Sequence, residues 1–244
     1  MSTQTLPAFY LRPRPLAAER DGDMSLAPIT DYQFASGANS VPVIGAEMTL
    51  ACKHYPILFL DGAPPQAVAL LGLRNGENLF VDADGTWAAG SYIPAYVRRY
   101  PFIFLENRER GEFTLCIDEA APTVNQGGAN KLFDGGQPTD VTRNALAFCS
   151  DYQGHYKATT EFVEALSKAD LLVENRADIT LKDGQKLSLA GFKVIDEAKF
   201  NQLPAEELLR WRERGWLHLV YCHLISISNW GGLVDRTAQH PATN

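Results

Sequence analysis

The sequence predicts an α+β fold: an antiparallel β-sheet built from hairpins and covered by one long helix and by C-terminal helices. Three observations support this prediction. Short apolar runs at residues 56–60 and 67–73 are bounded by turn residues, as the strands of a meander are. After Asp140, apolar side chains recur at steps of mostly three and four, which is the helical period. The last third then repeats a hairpin pattern followed by a helix pattern.

The chain is long enough for one large domain or for two lobes. It has 244 residues, of which 45% are hydrophobic and 21% charged, an ordinary balance for a globular protein. The predicted parts are an extended N-terminal arm (1–35), a β-rich lobe (36–120), a glycine-rich loop or linker (121–138), an α+β lobe (139–236) and a loose tail (237–244).

The β-rich lobe is predicted to be an antiparallel meander. Its strands are residues 56–60, 67–73, 78–81 and 86–89, with a further hairpin of 102–105 and 112–117. Asp82 to Gly85 should form the turn between the third and fourth strands. Residues 92–100 fit a short helix that has Pro94 in its first turn and ends at Pro101. Residues 41–52 fit a strand or a helix equally well.

The second lobe is predicted to begin with a helix over residues 140–169, capped by Asp140 and divided in two if Gly154 breaks it. The elements expected after it are a hairpin of 179–181 with 186–189 around Asp183-Gly184, a strand at 192–195, and a helix from Pro204 through Arg214 that Gly215 ends. Residues 216–228 fit a buried helix or a central strand. A turn is expected after Asn229.

Charge and composition exclude several classes of function. The formal charge is −7, which repels phosphate backbones, so nucleic acid is not an expected partner. No run approaches the ~18 apolar residues of a membrane-spanning helix, and the proline-rich, charged start does not fit a secretory signal. The four cysteines lie far apart, which favours reduced, buried thiols. We therefore expect a cytoplasmic protein that does not span a membrane.

One aromatic and basic cluster is a candidate binding site for a small molecule, a sugar or a peptide. Its residues are Trp87, Tyr92, Tyr96, Arg98, Arg99 and Tyr100, with His155 from the long helix. Arginine offers a planar fork of donors to carboxylates or phosphates, and aromatic faces support a flat ring. The alternative is a surface helix whose aromatic residues pack and whose arginines pair with acids. His155 is either a base near Cys149 or Glu161 or a packing residue.

Motifs for metals, cofactors and nucleophiles do not meet their requirements. Cys52, His54, Cys222 and His223 are residue types that zinc accepts, but Cys222 and His223 are adjacent and diverge on a helix. Asp82 and Asp84 would begin a calcium loop whose twelfth position is Ile93 rather than glutamate. The glycines before Lys131 are followed by Leu132, where a phosphate loop needs serine or threonine. We expect no metal and no cofactor.

Several separated stretches resemble the bacterial SapC family, named for association with a paracrystalline surface layer. They are Asn39-Ser40-Val41-Pro42-Val43, Tyr55-Pro56, Leu71-Gly72-Leu73, Gly76-Glu77-Asn78-Leu79-Phe80, Tyr96-Val97-Arg98-Arg99-Tyr100-Pro101-Phe102, Gly191-Phe192 and His223-Leu224, within residues 28–233. The resemblance implies no catalytic or binding residues. The resemblance also implies a gene that is encoded near outer-membrane nutrient receptors, cupin-like oxygenases and halogenase-like flavoproteins. Such a gene neighbourhood implies that the protein acts on an imported or peptide-derived substrate.

These observations lead to three hypotheses of function. The first is a non-enzymatic binding or assembly accessory protein, because no catalytic motif is present. The second is a cytosolic enzyme or accessory factor that acts on an imported or peptide-derived substrate through the arginine, aromatic and histidine cluster. The third, from the family name, is a component of the cell-surface layer. A homodimer is a further expectation, since two-fold assemblies are the commonest among soluble oligomers.

Overall fold

The computed structural model describes residues 6–107, 112–181 and 184–240. The strands are β1 Pro13–Pro15, β2 Met24–Leu26, β3 Ser40–Pro42, β4 Ile57–Leu60, β5 Gln66–Leu70, β6 Phe102–Asn107, β7 Glu112–Asp118, β8 Val124–Gln126, β9 Phe133–Asp134, β10 Gln137–Pro138, β11 Leu172–Thr180 and β12 Lys186–Ile195. The α-helices are α1 Ala18–Asp21, α2 Met48–Ala51, α3 Ala95–Arg98, α4 Asp140–Lys168, α5 Glu197–Phe200, α6 Ala205–Glu213, α7 Trp216–Ser226 and α8 Trp230–Gln239. Three 3₁₀ turns lie at Gln33–Ala35, Gly45–Glu47 and Ile227–Asn229.

The predicted α+β class is confirmed, and its centre is a five-stranded sheet in the order β11-β12-β4-β5-β3 with antiparallel neighbours. β4 and β5 lie in the middle, where Ile57, Leu58 and Phe59 are fully buried. An unbroken apolar run suits a strand that is covered on both faces. The long helix α4 contacts β5, and α7 contacts β4 and β12, so helices from the C-terminal half of the chain cover strands from both halves.

A second, three-stranded sheet has the order β1-β7-β6. Its β6–β7 hairpin was predicted, whereas β1 comes from the N-terminal residues and pairs with β7. Asp118 fixes this arrangement, because its carboxylate accepts the backbone N–H groups of Leu11 and Arg12, each at 2.8 Å. Two small ribbons, β2-β8 and β9-β10, complete the strands of the described residues. The glycine-rich segment 121–138 therefore carries β8, β9 and β10.

The predicted third strand of the meander is wrong. Residues 78–81 contribute only an isolated bridge between Val81 and Trp87, and β3 takes the place beside β5. The buried Asn78 side chain explains the difference: its amide donates to the Ala35 carbonyl, and its oxygen accepts the Phe80 N–H at 3.0 Å. Such local side-chain bonds compete with a strand ladder. The turn at 82–85 is confirmed, with Gly85 at φ +83°.

Three helix predictions need correction. The predicted helix 92–100 is reduced to the single turn α3, because Pro94 has extended backbone angles and acts as its N-cap. Gly154 does not break α4, which is continuous over 29 residues, and its N-cap is Thr139 rather than Asp140. α8 forms where a turn was expected after Asn229, since Gly231 and Gly232 weaken the helical signal there without ending the helix.

The ambiguity over residues 216–228 is resolved as helix. α6 ends at Glu213 with Arg214 as its C-cap, and the left-handed φ of +72° at Gly215 allows α7 to start at Trp216 in a new direction. The hairpin before α6 is longer than predicted. The exposed, polar residues 174–176 and 178 hide most of β11 from an apolar pattern. Gly184 of the predicted Asp183-Gly184 turn has φ +86°, whereas Asp183 lies outside the described residues.

The sequence predicts no membrane-spanning helix. Across residues 6–107, 112–181 and 184–240, no helix combines the length and the apolar character needed to cross a bilayer.

Candidate functional site

α3 and α4 place the predicted site residues around two separate clefts. α3 carries Tyr96 and Arg98, and Arg99 follows as its C-cap. Arg99 faces one cleft and Arg98 the other, and Tyr152 of α4 lines both. The short helix α3 therefore divides the residues of the predicted cluster between two clefts.

The first cleft, called the Arg99 cavity below, has a volume of about 470 Å³. Its lining comes from the N-terminal arm, β3, β4, β5, α3 and α4, and consists of Pro7, Ala8, Ser40, Pro42, Leu60, Gln66, Val68, Tyr96, Arg99, Tyr152, Gln153 and Tyr156. Among these described residues Arg99 is the one charged side chain. Proline, leucine and valine form the apolar part of the wall, and three tyrosines form the aromatic part.

Arg99 is held among aromatic rings. Its guanidinium carbon lies 4.1 Å from the centre of the Tyr96 ring, 4.6 Å from that of Tyr152 and 5.8 Å from that of Tyr10. In the described part of the chain no acidic side chain forms a salt bridge with Arg99. Its Nε atom is buried and has no hydrogen-bond partner there. Ring faces stabilise the positive charge. The Tyr10 and Tyr96 hydroxyls also interact with the guanidinium, but Nε itself stays unpaired.

Tyr152, which lines the Arg99 cavity as well as the other cleft, carries a second unpaired polar atom. The residue is 4% exposed, and its hydroxyl is buried without a partner in the described structure. Burial raises the pKa of this phenol well above its ordinary value, although Arg99 opposes the shift, so the hydroxyl keeps its proton and can donate it. The other two tyrosines are engaged: Tyr96 donates to the Ala8 carbonyl, and Tyr156 accepts from Gln66, both at 3.3 Å.

The second cleft, called the Glu47 cleft, is smaller, at about 230 Å³. Its lining comes from the residues around α2, from α3 and from α4, and consists of Ile44, Ala46, Glu47, Leu50, Tyr92, Ala95, Arg98, Phe148, Asp151, Tyr152 and His155. It contains more titratable groups than the Arg99 cavity. Three of them, Arg98, Asp151 and His155, are exposed at its rim.

Glu47 is 4% exposed and fully hydrogen-bonded. Oε1 accepts the Ile44 N–H at 3.0 Å, and Oε2 accepts the Ala95 N–H at 2.7 Å and the Tyr92 hydroxyl at 2.9 Å. Burial raises the pKa of the carboxyl, and these hydrogen bonds oppose the shift. Glu47 thus ties the start of α3 to the segment before α2.

Arg98 is likewise satisfied within the protein. It donates to the Ile93 carbonyl at 3.0 Å and to the Tyr92 hydroxyl at 2.9 Å, and it lies over the Phe148 ring at 5.4 Å. The described residues include no hydrogen bond from the His155 ring to Cys149 or Glu161. The Glu47 cleft therefore offers an outside molecule fewer unpaired donors than the Arg99 cavity.

Two predicted site residues lie in the aromatic core, outside both clefts. Trp87 donates its indole N–H to the Tyr55 hydroxyl at 3.3 Å and packs edge-on against Tyr32. Tyr100 stacks on Phe34 with ring centres 4.2 Å apart, and burial, together with the neighbouring Asp118, raises its pKa to about 12. Both side chains contribute to packing in this position.

Glu47 and Tyr152 were missed as site residues. The sequence offered a weak signal for each: Glu47 is the one acid in the largely apolar stretch 41–52, and Tyr152 precedes Tyr156 by one helical turn. Neither signal says that the residue faces a cleft, because that depends on how α4 meets α3.

The residues weighed as zinc ligands do not converge. His223 is fully buried between strands, where Nε2 accepts the Ile195 N–H at 3.0 Å and Nδ1 donates to the Ile57 carbonyl at 2.8 Å, so both ring nitrogens are used. Cys52 and Cys222 do meet, but with His218 rather than with His54 or His223. Within the described ranges no three His, Cys, Asp or Glu side chains are placed to hold a metal ion.

A model of one protein family, described as SapC, matches residues 16–233. The chain belongs to the SapC family. Neither a curated protein nor a solved structure matches this SapC protein. The match includes α2, α3 and α4, and so contains Glu47, Arg99 and Tyr152; only Pro7 and Ala8 of the Arg99 cavity lie before it.

Proposed function

We propose that this SapC protein is a non-enzymatic binding protein that takes a small monocarboxylate with an apolar or aromatic body into the Arg99 cavity. One observation carries the proposal. Arg99 Nε and the Tyr152 hydroxyl are buried donors without partners in the described structure, and both residues line the same cavity. A ligand with acceptor atoms would satisfy both donors.

The cost of unpaired donors supports an anionic ligand. Leaving a buried polar group unpaired costs about 1–3 kcal/mol, and more for a charged group, so a ligand that pairs both donors would recover that free energy on binding. A carboxylate has two oxygens, which suits the side-by-side donors of a guanidinium. Because Arg99 is the one cation in the lining, a single negative charge fits better than a phosphate dianion.

The remaining wall supports an apolar or flat ligand body. Leu60, Val68 and Pro42 provide apolar surface, and the faces of Tyr96 and Tyr156 provide stacking surface. A volume of about 470 Å³ lies within the range of cavities that hold small molecules. A carboxylated ring compound or the C-terminal residue of a short peptide has suitable dimensions.

The chemistry of the lining supports binding rather than catalysis. No carboxylate, imidazole or thiol lines the Arg99 cavity among the described residues. General acid–base catalysis needs a group with a pKa near the working pH, and the raised pKa of Tyr152 moves that phenol away from it. The cavity can therefore grip and orient a ligand, but it offers no proton acceptor for a reaction.

The test is ligand binding by calorimetry and by thermal shift with four matched probes: phenylacetate, neutral 2-phenylethanol, cationic 2-phenylethylamine and dianionic phenyl phosphate. We expect phenylacetate to bind best and to raise the unfolding temperature, because binding to the native state stabilises it. Arg99→Met should remove binding while keeping the apolar stem, and Arg98→Met should leave it unchanged. Equal binding of phenylacetate and 2-phenylethanol, or no binding of either, would overturn the proposal.

An enzymatic function would have to use the Glu47 cleft. The observation that favours it is a buried carboxyl of raised pKa near Tyr92, Arg98 and His155. Mass spectrometry of a ligand recovered after incubation with the protein separates the two functions. An unchanged ligand supports binding, and a product formed by the wild type but not by Glu47→Gln would establish an enzyme.

The cellular location is a further part of the proposal. All four cysteines are buried and unpaired, as is usual for proteins of a reducing compartment, and this supports the cytoplasm over the surface layer of the family name. Fractionation of cells tests it: SapC protein recovered from the surface layer would contradict a cytoplasmic binding role.

A further inference from the structure

Two thiols that are far apart in the sequence meet where α2 packs against α7. Cys52 is the C-cap residue of α2, and Cys222 lies in α7. Both are free and buried, and their thiols are close enough to interact electrostatically. Cys52 Sγ donates to the Thr49 carbonyl at 3.5 Å, on the same residue whose hydroxyl meets the histidine beside Cys222. In the described structure Cys116 and Cys149 have no such cysteine neighbour. The two thiols pack in the main hydrophobic core and lie outside the Arg99 cavity.

A base and a route to solvent lie beside the pair. His218 precedes Cys222 by one helical turn, and its Nε2 lies 3.6 Å from the Cys222 sulfur and 2.7 Å from the Thr49 hydroxyl. His218 and Thr49 are exposed, so a small molecule can approach along them. Burial, with a further contribution from Cys52, raises the pKa of the Cys222 thiol to about 11, so its oxidation needs a neighbouring proton acceptor.

We propose that Cys52 and Cys222 form a reversible disulfide when the protein meets hydrogen peroxide. His218 accepts the proton of Cys222, and the sulfur attacks one peroxide oxygen; the O–O bond breaks, and the departing hydroxide takes the proton from the imidazolium and leaves as water. The sulfur of Cys52 then attacks the sulfenic sulfur of Cys222. The S–O bond breaks, and the hydroxide leaves as water with the proton of Cys52. Both thiols are oxidised, and peroxide is reduced to water.

The bond would join the two halves of the fold. α2 follows directly after Glu47, which holds the start of α3, whereas α7 lies against β4 and β12. A covalent link between residues 52 and 222 closes a long loop and restricts the unfolded chain. We therefore expect the oxidised protein to unfold at a higher temperature than the reduced protein.

The test is peptide mapping of the full chain after peroxide treatment in the native state and alkylation of the remaining thiols with N-ethylmaleimide. Tryptic cleavage places the four cysteines in separate peptides, residues 21–53, 111–131, 144–157 and 215–236. We expect a linked 21–53/215–236 species that disappears on reduction. Cys116→Ser, which removes a buried thiol without a cysteine neighbour, should form the same link, and Cys52→Ser should leave Cys222 as a sulfenic acid that dimedone traps.

Other results would overturn the inference. Alkylation of both Cys52 and Cys222 after peroxide treatment, with Cys116 or Cys149 oxidised instead, would show that the pair is inert. A link that forms only in denaturant would show that the native geometry does not support it. His218→Gln should slow formation of the link by roughly tenfold or more. An unchanged rate would show that His218 does not accept the proton of Cys222.

Discussion

Arg98 and Arg99 are consecutive residues at the end of one short helix, yet they belong to sites of opposite character. Arg98 and the nearby Glu47 have hydrogen-bond partners within the protein. Arg99 and Tyr152 each keep a buried polar atom without a partner in the described residues. The polar groups of the Glu47 cleft are therefore paired within the protein, whereas the Arg99 cavity is lined by two residues that each keep an unpaired polar atom.

The comparison shows that burial alone does not distinguish a binding site from a structural one. Glu47 and Tyr152 are equally buried, at 4% exposure. What differs is whether the chain itself satisfies the buried atom, because an unsatisfied atom costs stability that only a ligand or another function compensates. Removing a polar group should therefore change stability in the Glu47 cleft and affinity in the Arg99 cavity.

Loss of the Arg99 charge gives the largest expected effect. Removing one partner of a buried charge pair typically costs about 2–5 kcal/mol, so Arg99→Met should weaken phenylacetate binding by roughly several hundredfold. Calorimetry measures the change, and Arg98→Met is the matched control because it alters the neighbouring residue of the other cleft. Equal losses in the two variants would show that the clefts form one site.

His223, like Glu47, is a buried group whose hydrogen-bonding atoms are all paired, and its charge depends on pH. Burial lowers its pKa from 6.5 to about 4, despite the hydrogen bond to Ile57. The unfolded chain therefore binds a proton at a higher pH than the folded chain does. Stability falls as the pH drops from about 6.5 to about 4, by about 3 kcal/mol over that window.

Denaturant unfolding at a series of pH values measures this loss. His223→Gln keeps an acceptor for Ile195 and a donor for Ile57 but cannot be protonated, so its stability should change less over the same window. A slope as steep as that of the wild type would assign the pH dependence to other groups.

Glu47→Gln should destabilise the protein without changing ligand affinity. The amide nitrogen replaces an acceptor, so at least one of the three donors that reach Glu47 loses its partner, at a cost of about 2 kcal/mol. Asp151→Asn makes the same chemical change at the exposed rim of this cleft and should alter stability by less than about 0.5 kcal/mol. Weaker phenylacetate binding by Glu47→Gln at unchanged stability would show that the ligand binds in the Glu47 cleft rather than in the Arg99 cavity.

Tyr152→Phe should give a smaller effect on affinity than Arg99→Met, and it should not lower the stability of the free protein. Its hydroxyl has no partner in the described structure, so removing it should leave the stability of the free protein unchanged or raise it. Phenylacetate binding should weaken by about 1 kcal/mol, or roughly fivefold. A less stable free protein would show that the hydroxyl has a structural partner after all.

Patterns within single segments predicted much of the fold. β4 and β5 are continuous apolar runs, and the three-to-four spacing after Asp140 marks α4. The errors arise where the outcome depends on distant residues. The buried amide of Asn78 replaces a strand by a turn through its bond to Ala35, and exposed polar residues conceal most of β11.

The candidate site was predicted less completely than the fold. The sequence drew attention to Arg98 and Arg99 through the aromatic residues around them. It could not separate the two arginines, because neighbouring residues on a helix point in directions about 100° apart and only the position of α4 decides what each one meets. Nor could it identify Tyr152, whose missing partner is a property of the packed structure.

The sequence by itself determined the α+β class, the membership of the SapC family and the absence of familiar catalytic motifs, since periodicity, turn residues and motif spacing are local properties of the chain. Only the tertiary structure decided that Arg99 and Tyr152 share one cavity, that Glu47 has its hydrogen-bond partners within the protein and that Cys52 meets Cys222. The physical reason is that hydrogen-bond satisfaction and side-chain contact depend on which distant segments are packed together.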